Sequence, residues 1–142
     1  MKIGLYSELA RQHIVKMREE IQQLNTETDH IGMKRFRNGV IRSKSPHHQL
    51  IISSPDFHSM GSLQDLLFHV QEHHFTIPQI QHCLTKLGLK FCGFEVGTIT
   101  QDFKRTNSGE DDAYDLIKWH TYEQAHPHAF AGMYQFWCQK VG

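Results

Sequence analysis

The sequence predicts an α/β fold, α+β in strict terms, with a small mixed sheet of three strands and about five helices. Two observations support this prediction. Segments with the apolar spacing of amphipathic helices alternate with three short runs of strand-forming residues, and one of these runs, Leu89 to Val96, carries apolar groups on both faces. Because a length of 142 residues is typical of one domain, we expect residues 1–142 to form a single domain.

The first strand and helix are predicted at the start of the chain. Ile3 to Tyr6 is an apolar run rich in strand formers, and Ser7 followed by Glu8 is a typical helix start. The residues that then recur at alternating spacings of four and three are Ala10, Ile14, Met17, Ile21 and Leu24. This spacing indicates an amphipathic helix.

Residues 25–61 are interpreted as a helical and loop insertion within the domain. Met33, Phe36 and Val40 mark a short helix, and Leu50 to Ile52 indicate a single helical turn. The basic residues of this segment are Lys34, Arg35, Arg37, Arg42 and Lys44. They could form a patch for nucleic acid or phosphate, but no aromatic residues are interleaved for base stacking. We therefore expect a solvated face.

The best-specified stretch is Ser62 to Val96. Ser62 and Asp65 resemble a capping box that begins one helix, and the run Thr76-Ile77-Pro78-Gln79 begins a second helix, which ends at Gly88. The third predicted feature of the stretch is the apolar strand from Leu89 to Val96.

The last elements are two further helices and a strand. A short helix is predicted over Thr98 to Arg105, and another begins at Asp111 and Asp112. The residues of the second helix expected to face inward are Ala113, Leu116, Ile117 and His120, with Trp119 and Tyr122 on a flank. Met133 to Lys140 is predicted to be a strand, on which Tyr134, Phe136 and Cys138 share one face.

Composition points to a cytoplasmic protein. The 15 Lys and Arg balance the 15 Asp and Glu, so no overall charge attracts the chain to nucleic acid or to a membrane. Three cysteines without C-x-x-C spacing suit a reducing compartment. The first residues are too polar for a signal peptide, and no apolar run approaches the ~18 residues of a membrane span.

The pattern His69-x-x-Glu72-His73 matches a zinc hydrolase string, in which two histidines bind the metal and the glutamate is the base. On a helix, however, Glu72 would point away from the two histidines, toward water. We therefore expect no metal, and keep His69 and His73 as an alternative site. The adjacent pairs His47-His48 and His73-His74 are interpreted as surface residues that cannot face one point. No phosphate-binding glycine loop and no activated nucleophile occurs, so no catalytic residue is predicted.

Five blocks of residues carry a resemblance to a protein family. They are IGLYSELAR from Ile3, DLLFHVQEHHFTIPQI from Asp65, LGLKFCGFE from Leu87, DLIKWHTYE from Asp115 and AFAGMYQFWCQK from Ala129. Together they resemble the C-terminal part of bacterial class I S-adenosylmethionine-dependent methyltransferases, of a type often fused to tetratricopeptide repeats. The resemblance implies half of a Rossmann-like fold, in which the last strand runs antiparallel between the other two.

The resemblance also bears on function. The half of the fold that holds the cofactor is missing from this chain. The resemblance therefore implies no bound cofactor and no methyl transfer by this chain alone. We expect a non-catalytic module that binds itself or a partner, and we interpret the missing half as the mark of a mobile gene fragment. The alternative is the substrate-side half of a methyltransferase that another chain completes. The residues that match positions near the family's substrate cleft are Tyr6, Ser7, Glu8 and Arg11.

The first strand is the place where the missing half would pair. Without it, the outer edge of this strand carries unpaired N–H and C=O groups. We therefore expect a homodimer through Ile3, Gly4, Leu5 and Tyr6, or through adjoining helical faces.

Overall fold

The computed structural model describes residues 1–68 and 72–142 and divides the chain into two compact units. The first unit combines Met1–Ala10 with His73–Gly142, and the second is Arg11–Glu72. The 25–61 segment falls inside the second unit. The expectation of a single domain with an insertion over 25–61 stays a prediction.

The described residues form a mixed α/β fold. The helices are α1 Gln12–Gln23, α2 His30–Arg42, α3 Pro46–Ile52, α4 Met60–Leu63, α5 Ile77–Lys86, α6 Thr98–Thr106 and α7 Leu116–Ala125. Short 3-10 turns occupy Pro55–Phe57 and Asp112–Tyr114, and a π-helical turn occupies Gln64–Phe68. The predicted number of about five helices is too low, since the described residues form seven. None of the helices in the described ranges has the length and apolar character needed to cross a membrane.

The sheet lies in the first unit and has four strands. They are β1 Lys2–Ser7, β2 His74–Phe75, β3 Leu89–Phe94 and β4 Tyr134–Lys140, in the order β2-β1-β4-β3. β1 is parallel to β2, and β4 runs antiparallel between β1 and β3. The mixed sheet and the placing of the last strand are confirmed. The count of three strands is wrong, since β2 has two residues, too few to show an alternating pattern.

A bulge in β3 explains why this strand appeared apolar on both faces. Phe91 pairs with Cys138, but Phe94 pairs with Phe136, so three residues of β3 span the length of two on β4. Gly93 takes a φ of +104° at this point, which a residue with a side chain rarely adopts. Phe91 and Phe94 therefore face the same core, with their ring centroids 5.1 Å apart. The strand ends at Phe94, two residues earlier than predicted.

The core of the first unit is aromatic. Phe103 stacks on Trp119 with ring centroids 3.7 Å apart, and Phe94 contacts Trp119 and Phe130, each at 4.8 Å. The predicted inward face of α7 is right for Leu116, which is buried, but wrong elsewhere: Trp119, predicted on a flank, is fully buried, whereas Ile117 is 65% exposed. The reason is the start of the helix, because Asp115, not Asp111 or Asp112, caps it by accepting from the N–H groups of Ile117 and Lys118.

The predicted start of α5 is confirmed, whereas the helix starts predicted at Ser62 and Ser7 are wrong. At α5 the predicted capping box is confirmed, since Thr76 Oγ1 accepts from Gln79 N–H and Gln79 Oε1 accepts from Thr76 N–H. Gly88, with a φ of +64°, follows the end of this helix as predicted. The start at Ser62 is wrong, because α4 begins at Met60 and Ser62 lies inside it. The start at Ser7 is also wrong: Ser7 ends β1.

The second unit is a packed set of helices, and its described residues, 11–68 and 72, contain no strand. The predicted stripe of α1 is confirmed for Ile14, Met17 and Ile21, which are buried, but it is wrong for Leu24, which follows the helix and is 70% exposed. The other buried residues of this apolar cluster are Val40, Ile51, Phe57, Leu63, Leu66 and Leu67. Helices α1, α2 and α3 therefore share one core, which fixes the spacing between their polar side chains.

Candidate functional site

The outer edge of β1 carries backbone groups that no strand of the described residues uses. Met1 N donates to Cys138 O at 2.8 Å and Cys138 N donates to Met1 O at 2.9 Å, so these two residues form a hydrogen-bonded antiparallel pair. Such pairs alternate along a ladder. Ile3 and Leu5 therefore bond toward β4, while the N–H and C=O groups of Lys2 and Gly4 point away from it.

β2 covers only the far end of this edge. Tyr6 pairs with His74 and Ser7 pairs with Phe75, and the Glu8 N–H donates to Phe75 O at 2.9 Å. Of the four residues predicted to form an interface, Tyr6 is thus covered by a strand. Ile3, Gly4 and Leu5 lie on the stretch that has no strand neighbour on this side within residues 1–68 and 72–142.

A buried polar cluster fixes the end of β1. Ser7 Oγ donates to Glu123 Oε2 at 2.9 Å, and the Tyr134 hydroxyl donates to both oxygens of Glu123 at 2.7 and 2.8 Å. Ser7 Oγ also accepts from Ala10 N–H at 3.1 Å. Ser7, Glu123 and Tyr134 are all essentially inaccessible to solvent. These hydrogen bonds give the buried polar side chains their partners and join β1 to α7 and β4.

Burial dominates the ionisation of this cluster. It raises the pKa of Glu123 above the ordinary value, and the hydrogen bonds from Tyr134 and Ser7 oppose that rise. Burial, together with the Glu123 carboxylate, raises the pKa of the Tyr134 hydroxyl far above its usual range. The tyrosine is therefore a hydrogen-bond donor at every physiological pH.

The four residues predicted near a substrate cleft have different surroundings. Ser7 is enclosed in the buried cluster, Tyr6 is half-buried in the sheet, and Glu8 is exposed. Arg11 belongs to the second unit, where its guanidinium lies 3.7 Å from Glu72. Ser7 cannot reach a ligand without breaking its bonds to Glu123, so the structure gives no support to a role for it in a cleft.

Glu72 does not face water as predicted. Its carboxylate lies 3.7 Å from Arg11 and 3.3 Å from Arg18, and only 14% of the side chain is exposed. The error arises because the prediction placed Glu72 on a helix, whereas Glu72 lies in no helix. His69 lies outside the described residues, and His73 is exposed. Glu72 is thus an ion-pair partner rather than a free base.

Three side chains of the second unit converge on one point. His47 Nε2 lies 2.5 Å from Glu20 Oε1, and His48 Nε2 lies 2.6 Å from Glu20 Oε2. The interpretation of His47 and His48 as surface residues that cannot face one point is therefore wrong. Adjacent residues diverge by about 100° on a helix, but each imidazole here reaches a different oxygen of one carboxylate, and the two ring centroids are 4.3 Å apart.

A cavity of about 490 Å³ adjoins this cluster, between residues of α1 and α2. Glu20, His48 and Arg35 contribute to its wall. Burial opposes ionisation of Glu20, but hydrogen bonds and charge from His48 and His47 outweigh it and hold the pKa of this carboxyl below its ordinary value. Glu20 is therefore ionised near neutral pH. The sequence signal for the cluster is only the dipeptide His47-His48, which says nothing about a partner 27 residues away.

The basic residues predicted as a solvated face are mostly exposed. Lys34, Arg35, Arg42 and Lys44 are exposed, and Arg37 is half-buried, with its Nη1 donating to His58 O at 3.5 Å. Arg35 is the member of this set that also lies at the cavity beside Glu20. Nucleic-acid binding by the set stays an untested alternative.

No protein-family model and no curated protein sequence matches this chain. The resemblance to methyltransferases therefore stays a prediction. The features that bear on function are those of the chain itself: the open stretch of β1 in the first unit, and the Glu20, His47 and His48 cluster in the second.

Proposed function

We propose that this chain is a non-catalytic α/β module that binds a second copy of itself through the outer edge of β1. The observation that supports the proposal is the outward direction of the N–H and C=O groups of Lys2 and Gly4, which have no strand neighbour among the described residues. Unpaired edges of this kind are templates for strand addition.

The edge can pair with a copy of itself around a two-fold axis. In an antiparallel pairing centred on Ile3, Lys2 of each copy lies opposite Gly4 of the other. Each of these two Lys2–Gly4 pairs then forms two hydrogen bonds between its outward N–H and C=O groups. The two Ile3 side chains then face each other, a contact worth about 0.2–1 kcal/mol. Gly4 has no side chain to obstruct the aliphatic part of Lys2. The four strands of each copy would join into one continuous sheet.

Both ends of β1 are fixed, which favours pairing. The Met1 nitrogen is bonded to Cys138 O, and Ser7 is bonded to Glu123. A strand held in this way loses little conformational entropy when a second strand docks. Lys2 is the residue that opposes pairing, because a charged side chain on an edge discourages strand addition. Its ammonium group, however, lies 3.0 Å from Glu95, which partly neutralises it.

Substitution of Lys2 tests the proposal. Lys2→Pro removes the outward N–H, while Lys2→Ala removes the same ion pair with Glu95 and keeps the N–H. Two hydrogen bonds, one per copy, are lost in the proline variant, at about 1 kcal/mol each. We expect its dimer dissociation constant to rise about 30-fold relative to Lys2→Ala, measured by sedimentation equilibrium at several concentrations.

Two results would contradict dimer formation through this edge. One is a wild-type chain that sediments as a monomer at tens of micromolar. The other is a Lys2→Pro variant that dimerises as tightly as Lys2→Ala while circular dichroism shows both folded.

The same edge supports the alternative function, in which another chain completes a methyltransferase. The observation in its favour is the order β1-β4-β3, with β4 antiparallel to both neighbours, together with an open stretch of β1 where the resemblance places the missing half. Titration with S-adenosylmethionine in a calorimeter separates the two proposals. Binding by the isolated chain would exclude the non-catalytic module, and binding only after addition of a chain with the cofactor half would favour the alternative.

A further inference from the structure

We propose that Glu20, His47 and His48 bind one divalent transition-metal ion, with Zn²⁺ the preferred class. This inference does not rest on the proposed dimer. The nearest ligand atoms of the three side chains all lie within 4.8 Å of one another. No other group of three such residues in the described ranges meets this criterion.

The framework of the second unit holds the three ligands. Glu20 projects from α1, and His47 and His48 are the second and third residues of α3, directly after Pro46. Buried Ile21 on α1 and Ile51 on α3 belong to the same apolar cluster, which fixes the two helices relative to each other. Metal binding would therefore require little rearrangement of the backbone.

The ligand chemistry selects the class of metal. Two imidazole nitrogens and one carboxylate oxygen suit Zn²⁺ and its neighbours in the first transition row, whereas Mg²⁺ and Ca²⁺ prefer oxygen ligands. Because Zn–N and Zn–O distances are about 2.0–2.2 Å, two ligands of a tetrahedral ion lie ~3.3 Å apart. The two histidines reach different oxygens of Glu20, at 2.5 and 2.6 Å, and one ligand atom from each of the three residues lies within 4.8 Å of the others. The short separations would have to open by less than about 1 Å and the longer ones close by up to about 1.5 Å, within reach of side-chain rotation.

Binding would exchange protons for the metal. In the structure the two Nε2 atoms share Glu20 as a hydrogen-bonding partner. When the metal binds, each imidazole coordinates through the Nε2 lone pair and carries its proton on Nδ1. A ring protonated on both nitrogens releases the Nε2 proton to solvent, whereas a neutral ring moves it to Nδ1 by exchange with water, and Glu20 coordinates as the carboxylate. Three protein ligands leave a fourth position for water, as in the His₂Glu type of zinc site. The 490 Å³ cavity, which Glu20 and His48 border, gives that water room.

A cobalt titration tests the site in the complete chain. Co²⁺ is added at pH 7.5 while the visible absorption is followed, and Zn²⁺ is then titrated in as a competitor. We expect one ion per chain and a micromolar or tighter dissociation constant. Glu20→Gln and His48→Gln keep a side chain that can hydrogen-bond, so the fold should persist, and each should weaken binding about tenfold or more.

Three control variants separate this site from other metal ligands. His30→Asn replaces an exposed histidine of the same unit. The double variant His69→Asn with His73→Asn removes the pair singled out by the H-x-x-E-H pattern. Cys83→Ser changes a free cysteine beside a surface pocket that His73 and His82 also line. All three should bind Co²⁺ as the wild type does.

The proposal fails if the dissociation constants of the wild type for Co²⁺ and Zn²⁺ exceed about 100 μM, a value that corresponds to weak surface binding. It also fails if Glu20→Gln and His48→Gln bind as tightly as the wild type. If either variant unfolds, the three control variants still test the site, because loss of Co²⁺ binding in any one of them would place the ion elsewhere and overturn the proposal. A sulfur-to-cobalt charge-transfer band would assign the ion to a cysteine and overturn the proposal, whereas its absence with a tetrahedral d–d spectrum would support nitrogen and oxygen ligation.

Discussion

Removal of the Tyr134 hydroxyl should weaken the first unit in a pH-dependent way. Tyr134→Phe deletes the donor that lies 2.7 and 2.8 Å from the two oxygens of Glu123. A hydrogen bond to an ionised group contributes about 1.5–3 kcal/mol, and a neutral one about 0.5–1.5 kcal/mol. Because the phenyl ring stays and fills the same space, the loss is almost entirely that of the hydrogen bond. We expect a decrease of about 2 kcal/mol in the free energy of unfolding at pH 8.

The sign of the pH dependence follows from Glu123. Its folded pKa is raised above 4.5 by burial, so the folded state binds the proton more tightly than the unfolded state does. The stability that this protonation contributes is fully present below pH 4.5 and is lost as pH rises through the folded pKa. Tyr134→Phe removes a bond that lowers this pKa, so it raises the pKa further. The difference between the variant and the wild type should therefore be smaller near pH 5 than at pH 8.

Urea unfolding followed by tryptophan fluorescence measures the effect. Both tryptophans, Trp119 and Trp137, belong to the first unit, so their signal reports on the unit that holds the cluster. Tyr114→Phe is the matched control, because Tyr114 is 55% exposed and the chemical change is the same. It should alter the free energy of unfolding by less than about 0.5 kcal/mol. A Tyr134→Phe loss as small as this control, or one equal at pH 5 and pH 8, would refute the role assigned to Glu123.

Two further predictions concern packing and backbone conformation. Phe94→Ala should lower the free energy of unfolding by about 3–5 kcal/mol, because the ring contacts Trp119 and Phe130. The control Ile117→Ala, at an exposed site, should have little effect, and the urea midpoints of the two variants measure the difference. Gly88→Ala should destabilise the protein by about 1 kcal/mol because the φ of Gly88 is +64°. Gly39→Ala, at an exposed position within α2, should stabilise the protein by about 0.5–1 kcal/mol. Thermal melting temperatures that shift in opposite directions would confirm this prediction, and shifts of equal sign would contradict it.

The features that sequence could predict are those determined by neighbours along the chain. The α5 capping box depends on Thr76 and Gln79, three residues apart, and the buried stripe of α1 repeats every three or four residues. The alternation of buried and exposed side chains along β4, in which Tyr134 is buried and Trp137 is exposed, is likewise a local pattern. These signals are the energetic preferences of short segments, and tertiary packing in this chain agrees with them.

The features that sequence could not predict depend on contacts across the chain or on a break in a local pattern. The bulge at Gly93 adds a residue to β3 and turns Phe94 to the face of Phe91, which an alternating pattern does not anticipate. Glu20 meets His47 and His48 only because α1 and α3 pack on a shared core. Glu72 was assigned to a continuous helix, and that assumption hid its pairing with Arg11 and Arg18.

The two proposed sites depend on different levels of structure, and this difference explains what the sequence suggested about each. Strand addition at β1 uses backbone groups, so it depends on topology, and the resemblance to half of a larger fold was enough to predict an open edge there. The structure narrows that edge to Lys2–Leu5, because β2 covers Tyr6 and Ser7. Metal binding depends on side-chain identity and on a spacing set by helix packing, so it became visible only when Glu20 was placed beside His47 and His48. The H-x-x-E-H string had the residue types of a zinc site, but its glutamate is held by two arginines in the same unit.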